Sequence, residues 1–282
     1  MMTLDLVREL RERTGAGIMD CKTALKESGN DLEKASDFLR KKGLASAAKR
    51  AGREAREGAV AVRVQGRKAA LVEANCETDF VARTDDFKAL VALALDEVIA
   101  KGENAVQSSE TLNHRLAELS AKIGEKMLVR RARLIESDGA IFTYIHSNNK
   151  LGVIVELGCG KPDTRSNPLF EELGKNVAMQ VAASNPLCVT RADVPAVTLE
   201  REKAIYREEV KGKPENILEK IVQGKLEKFY QTVCLADQPF IRDDKTAVKS
   251  LFDDLSKKVA DTVSIKRFVR FQLGETAAAA GA

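Results

Sequence analysis

Ala74-Asn75-Cys76-Glu77-Thr78-Asp79-Phe80-Val81-Ala82 decides the fold, because the residues on its two sides follow different periods. Upstream, Val60, Val62 and Val64 alternate, Gln65-Gly66-Arg67 turns, and Lys68 to Ala74 returns as an apolar run. That pattern predicts a β-hairpin. Downstream, Phe87, Leu90, Val91, Ala94, Leu95 and Val98 recur at the helical period. Thr84 is placed to cap that helix, and Asp85 and Asp86 suit the positive end of its dipole. Residues 75–82 read as the loop between strand and helix, with Phe80 beside an acid. Two readings of Phe80 stand at this point. Phenylalanine is commonly buried, so the ring tucks into the core as the chain turns. Alternatively, a loop held by rigid elements presents the ring as a contact anchor.

The second half of the chain repeats the plan. Ile141, Thr143 and Ile145 alternate, His146 sits at the tip, Ser147-Asn148-Asn149-Lys150 turns, and Leu151, Val153, Val155 and Leu157 return. A loop with Cys159-Gly160-Lys161-Pro162 follows, then a helix striped by Phe170, Leu173, Val177 and Val181. Hairpin, loop and helix thus occur twice, which predicts an α+β fold whose core is two related units with antiparallel sheets. The first unit spans 59–139, including a strand from Met127 to Ile135 with Arg130, Arg131 and Arg133 on or near its open face. The second spans 140–184 and 231–274, closed by a strand carrying Ile265, Val269 and Phe271. Residues 185–230 interrupt it. Leu199, Tyr206 and Val210 stripe one charged helix, and Ile217, Leu218, Ile221, Val222 and Phe229 another. So narrow a seam suits a protruding antiparallel helical hairpin, a coiled coil, better than a buried pair.

Ahead of the core, residues 1–44 read as three short helices. Thr3 is the expected cap of the first, Ile18, Cys21, Ala24 and Leu25 stripe the second, and Leu32, Ala35, Phe38 and Leu39 the third. Met19 lies just off the apolar face, where it either covers the core edge or belongs to a contact surface. Residues 45–58 read as a basic linker and 275–282 as a flexible tail.

Composition removes several classes. With 46 basic and 42 acidic residues the surface is mixed, and the net charge of +4 does not demand a nucleic acid. The basic stretch 40–56 is the best argument for one, but no aromatic interleaves it. The five cysteines are scattered without a Cys-x-x-Cys, which disfavours zinc and a disulfide framework and suits reduced thiols. The N-terminus lacks the pattern of a signal or transit peptide, and no run is long enough to span a membrane, so a cytoplasmic location is expected. No nucleophile elbow, Walker loop or dinucleotide fingerprint occurs. His114 reads as mid-helix and solvent-facing, so neither histidine points to a catalytic group. No metal or cofactor is expected, and an ordinary enzyme is disfavoured. A small helical head, a double core and a helical arm suit a protein that grips a large partner.

Thr14-Gly15-Ala16-Gly17-Ile18-Met19-Asp20-Cys21-Lys22 resembles the N-terminal signature of the elongation factor Ts family, and Asn75 to Ala82 resembles its second signature. His146 with Gly152-Val153, Val181-Ala182-Ala183-Ser184-Asn185-Pro186 and Gln238-Pro239-Phe240 match in order, so the similarity runs from about residue 3 to 274. Asn148-Asn149 stands where the family often has Gly-Gly, and asparagine tolerates the left-handed turn. The resemblance implies a UBA-like head and a guanine-nucleotide exchange factor of elongation factor Tu, without covalent chemistry. It implies that Thr78, Asp79, Phe80 and Val81 enter the GTPase beside its nucleotide and displace magnesium, with Ile18, Met19 and His146 as further partner contacts. With the resemblance counted, Phe80 reads as a presented wedge. A homodimer through the hairpin stays open, as do a nucleic-acid-binding role for 40–56 and an enzyme with an unrecognised site.

Overall fold

The computed structural model describes residues 4–50 and 52–275, with the side chains of 44–51 left aside. The expected Thr3 cap, most of the tail and the side chains of Lys49 and Arg50 lie outside the described residues. The chain is an α+β protein and divides into two compact units. One contains the described residues up to Arg63 together with Ala70–Leu134, and the other contains Val64–Ala69 and the described residues from Ile135 onward.

The first unit begins with α1 (Leu4–Thr14), α2 (Ile18–Glu27) and α3 (Leu32–Arg50). Val7, Leu10, Cys21, Ala24, Leu25 and Ala35 form their small core. The third helix runs on to Arg50, into the stretch expected as linker. The alanines of residues 45–48 favour helix over a flexible connection. Strands β1 (Glu57–Gln65) and β2 (Lys68–Cys76) follow, then α4 (Asp79–Ala82), α5 (Asp85–Lys101), α6 (Ala105–Ser108), α7 (Glu110–Ile123) and β3 (Leu128–Glu136). The sheet order is β1-β2-β3. Phe87, Leu90, Val91, Ala94, Leu95 and Val98 of α5 are buried with Val72, Ala74 and Cys76 of β2. Thr84 caps α5 by accepting the Phe87 N–H at 3.3 Å. Gly58 is obligatory in β1: its φ is +139°, and a β-carbon there would overlap the Ala74 carbonyl.

β3 differs from expectation at one of the arginines placed on or near its open face. Arg131 does not lie on an open face but pairs with the buried Glu73 of β2, Nε to Oε2 at 2.7 Å. A buried carboxylate needs such a partner, and the sheet interior supplies it from the neighbouring strand.

The second unit contains β4 (Ala140–Ile145), β5 (Leu151–Cys159), α8 (Pro162–Arg165), α9 (Pro168–Ser184), α10 (Ala196–Glu209), α11 (Glu215–Val233), β6 (Pro239–Phe240), β7 (Asp243–Ala247), α12 (Val248–Val259) and β8 (Val263–Gln272). β5 pairs antiparallel with β4, Tyr144 opposite Val153, and with β8, Val153 opposite Arg270. Phe170, Val177, Val181, Phe252 and Leu255 of the helices cover the sheet. Phe142 meets Phe170 edge to face at 5.7 Å.

α10 and α11 pair through a narrow seam of Val210, Val222 and Leu226, flanked by Leu199, Tyr206 and Leu218. Arg191 ties the root of this hairpin together. Its Nη2 lies 2.8 Å from Glu227 Oε2 and 2.9 Å from Asp237 Oδ1, and its guanidinium lies 4.7 Å from the centre of the Tyr230 ring. These acids hold the Arg191 pKa above its ordinary value. The β6–β7 ribbon was not legible as strands, because Asp243-Asp244-Lys245 carries no apolar alternation.

Candidate functional site: a clasped turn presenting Phe80

The stretch 75–82 is not a free loop. After β2 ends at Cys76, Thr78 caps the single helical turn α4, accepting the Val81 N–H at 3.4 Å. Val81 is buried in the unit core, and Phe80, one residue earlier on the turn, is 78% exposed. The helical period explains the split: consecutive residues on a turn point about 100° apart, so seating Val81 directs Phe80 outward. Asp79 Oδ2 accepts from Arg83 Nη2 at 2.7 Å, so the acid beside the ring is already paired within the turn. Thr84 donates to the Val81 carbonyl at 2.8 Å and caps α5 as well, coupling the turn to the long helix behind it.

A second element holds the turn from the side. Glu125, just past the left-handed Gly124 that ends α7, accepts the N–H groups of Glu77 and Thr78 on Oε2, both at 3.1 Å. Its Oε1 accepts the Thr78 hydroxyl at 2.7 Å. In return, Glu77 Oε1 accepts the Lys126 N–H at 2.6 Å, and Arg53 Nη1 lies 3.3 Å from the same oxygen. Each loop therefore lends a carboxylate to the other's backbone. The Cys76 thiol donates to the Thr78 carbonyl at 3.1 Å. Burial pushes that thiol up to about 12, and the charges of Glu125 and Glu57 add to the shift. It is a structural thiol rather than a nucleophile.

The remaining candidate residues lie elsewhere. Ile18 and Met19 open α2 and are 50% and 71% exposed, while Cys21, Ala24 and Leu25 of the same helix are buried. They form a small apolar face in the same compact unit as the Phe80 turn. His146 belongs to the other unit, at the β4–β5 turn. Its backbone closes the turn, with the His146 N–H bonded to the Leu151 carbonyl and the Asn149 N–H to the His146 carbonyl. Asn149 takes the left-handed conformation, φ +55°. Tyr144 Oη lies 2.9 Å from His146 Nδ1, which orients the exposed imidazole. His114 is a surface residue, 3.6 Å from Glu118.

Among the described residues, no group of three histidine, cysteine or acidic side chains is placed to hold a metal ion. No helix among them is long and apolar enough to cross a membrane. The geometry at the turn offers an exposed apolar ring on a backbone bonded at both ends. The clasp between Glu125 and Glu77 is not legible in the sequence. Their bonds reach backbone groups 47 to 49 residues away, and no spacing rule marks such a pair.

The family model described as "Elongation factor TS" matches residues 77–275, more than half of the chain. Elongation factor Ts of Nitratidesulfovibrio vulgaris (strain DP4) is 46% identical over 99% of this chain and 98% of its own length. That of Prosthecochloris aestuarii is 45% identical over 95% and 97%. That of Clostridium perfringens (strain SM101 / Type A) is 44% identical over 98% and 94%.

Proposed function

The chain belongs to the elongation factor Ts family, translation elongation factors of protein biosynthesis, and from that premise we propose that it is the guanine-nucleotide exchange factor of elongation factor Tu. One observation carries the reading: Phe80 stands 78% exposed on a turn whose backbone is bonded at both ends. An apolar ring held in water by a rigid frame is arranged for a partner to cover it.

In this reading Phe80 enters the GTPase beside its nucleotide and works as a wedge. Magnesium there demands near-ideal octahedral geometry and bridges phosphate oxygens, so a small shift of its ligands loosens GDP. Asp79 exchanges its Arg83 partner for donors on the GTPase, and its charge disfavours a phosphate nearby. Thr78 and Val81 hold the turn, one by capping it and the other by anchoring it in the core. Ile18 and Met19 supply a second apolar contact, and His146 a third. No bond is made or broken covalently. The factor and the nucleotide each lower the other's affinity by the same ratio. A thousandfold gain in release needs only about 4 kcal/mol of differential stabilisation.

The basic stretch gives less support to a nucleic-acid role. Lys42 pairs with Asp20, Arg53 with Glu77 and Arg56 with Glu54. The test of the exchange reading is the release of labelled GDP from purified elongation factor Tu with and without this protein. Faster release, damped by excess magnesium, is expected. Release at the spontaneous rate overturns the proposal.

A further inference from the structure

The loop after β5 repeats the clasp of the loop after β2. Cys76 and Cys159 each end a strand, and each thiol donates to the carbonyl two residues on, Thr78 at 3.1 Å and Lys161 at 3.4 Å. A one-turn helix then starts three residues past each cysteine, α4 at Asp79 and α8 at Pro162. In the first unit the N–H groups of Glu77 and Thr78 go to Glu125, which stands shortly before β3. In the second, those of Gly160 and Lys161 go to Asp261, shortly before β8, at 3.1 and 2.8 Å. A threonine hydroxyl completes each carboxylate, Thr78 on Glu125 and Thr164 on Asp261, both at 2.7 Å. The buried residue of each turn also corresponds, Val81 to Thr164, and so does the exposed one before it, Phe80 to Asp163.

The same carboxylate clasp on the strand-end backbone thus occurs twice, with the threonine taken from a different position of each turn, and of the two turns only the first carries an aromatic at the presented position. The exposed ring of Phe80 has few side-chain neighbours to fix it, so its placement is inherited from the backbone beneath. The backbone groups at risk are the Glu77 and Thr78 N–H donors, which precede the helical turn and which no helix can satisfy. Glu125 takes both.

We propose that Glu125 is the positioning residue of nucleotide exchange: its carboxylate holds the turn that aims Phe80 at the partner. The inference rests on the exchange reading above. Glu125 does not touch the nucleotide or the magnesium; it acts through the Thr78–Phe80 backbone. Removing it leaves Phe80 present and misaimed, and a displacement of about 1 Å at such a group costs on the order of tenfold to a hundredfold in rate.

The test compares GDP release from elongation factor Tu driven by the full chain and by Glu125→Ala, Glu125→Gln, Phe80→Ala and Phe80→Ala/Glu125→Ala. Amide hydrogen exchange at Glu77 and Thr78 is read alongside, with β2 and α5 amides reporting the fold. Glu125→Ala is expected to lower kcat/KM about tenfold and to expose the two amides while β2 and α5 stay protected. Glu125→Gln, which keeps one acceptor oxygen, is expected to fall between. The double variant is expected to be slower than Phe80→Ala by much less than the roughly tenfold cost of Glu125→Ala alone, because the ring is the main group the turn aims and Asp79 only adds to it. Fully additive losses in the double variant would assign Glu125 a general structural role and overturn the proposal. So would wild-type rates in Glu125→Ala where Phe80→Ala is slow. Wild-type rates in Phe80→Ala itself would instead remove the wedge, and the positioning role with it.

Discussion

Phe80→Ala separates function from stability more sharply than any other single change. A phenylalanine side chain offers roughly 200 Å² of surface, and 78% exposure leaves most of it in water in the free protein. Covering all of that exposed part would gain ~4 kcal/mol at about 25 cal/mol per Å². Alanine keeps the β-carbon, and an interface rarely covers a ring completely. A loss of about 2.7 kcal/mol is therefore the reasonable expectation, a hundredfold fall in kcat/KM for GDP release. The fold should hardly notice. The ring contributes little burial, and alanine suits a helical turn, so the unfolding free energy should move by less than about 0.5 kcal/mol. The assay is stopped-flow release of a fluorescent GDP from elongation factor Tu, with a urea titration of each variant beside it. Exchange within twofold of the parent, at equal stability, would refute the idea that the exposed ring does the work.

Two further outcomes follow from the frame. Glu73→Ala should lower stability by about 3 kcal/mol in urea titration, because it removes a fully buried carboxylate that lies 2.7 Å from Arg131 and 3.6 Å from Arg130; a loss under about 1 kcal/mol would mean that solvent reaches the site. Asp261 has its pKa held below the ordinary 3.8 by the Thr164 hydroxyl first, against which burial acts, and then by backbone N–H groups. Since the folded pKa is the depressed one, its contribution is present above the unfolded value near pH 4 and is lost as pH falls through the folded value. Asp261→Asn should flatten that acid limb in a pH series of unfolding midpoints, and an unchanged limb would place the acid sensitivity elsewhere.

What the sequence made legible follows the range of the interactions. The α5 stripe, the Thr84 cap and the left-handed Asn149 are short-range features, and each declares itself within a few residues. The one-turn helices α4 and α8 do not, since four residues hold too few positions to show a period. α3 ran past its expected end because alanine propensity outweighed the basic charges. The partner of Arg131 is not legible, because strand periodicity says which face a residue takes but not what waits there; Glu73, on the neighbouring strand, is a long-range partner. The exposure of Phe80 lies between these cases. Composition favours a buried ring, the family resemblance reverses that expectation, and the turn geometry, with Val81 seated inward, gives the physical reason that the ring is exposed.

The twin turns bear on how such a site is built. If the clasp existed to serve a wedge, the second unit would have no use for one, yet Asp261 likewise accepts the two backbone N–H groups that follow the strand, with a threonine hydroxyl drawn from a different position of the turn. The clasp is better understood as the means by which this supersecondary unit closes strand to helix, satisfying backbone donors that neither element can pair. A position already fixed by that closure can then carry a costly residue. An exposed ring on a loose loop would lose its orientation to entropy before a partner arrived, whereas on α4 much of that loss was met when the unit folded. Phe80 and Asp163 occupy corresponding places on turns whose strand-end N–H groups are held alike, so what most distinguishes the two turns for a partner is the side chain each presents.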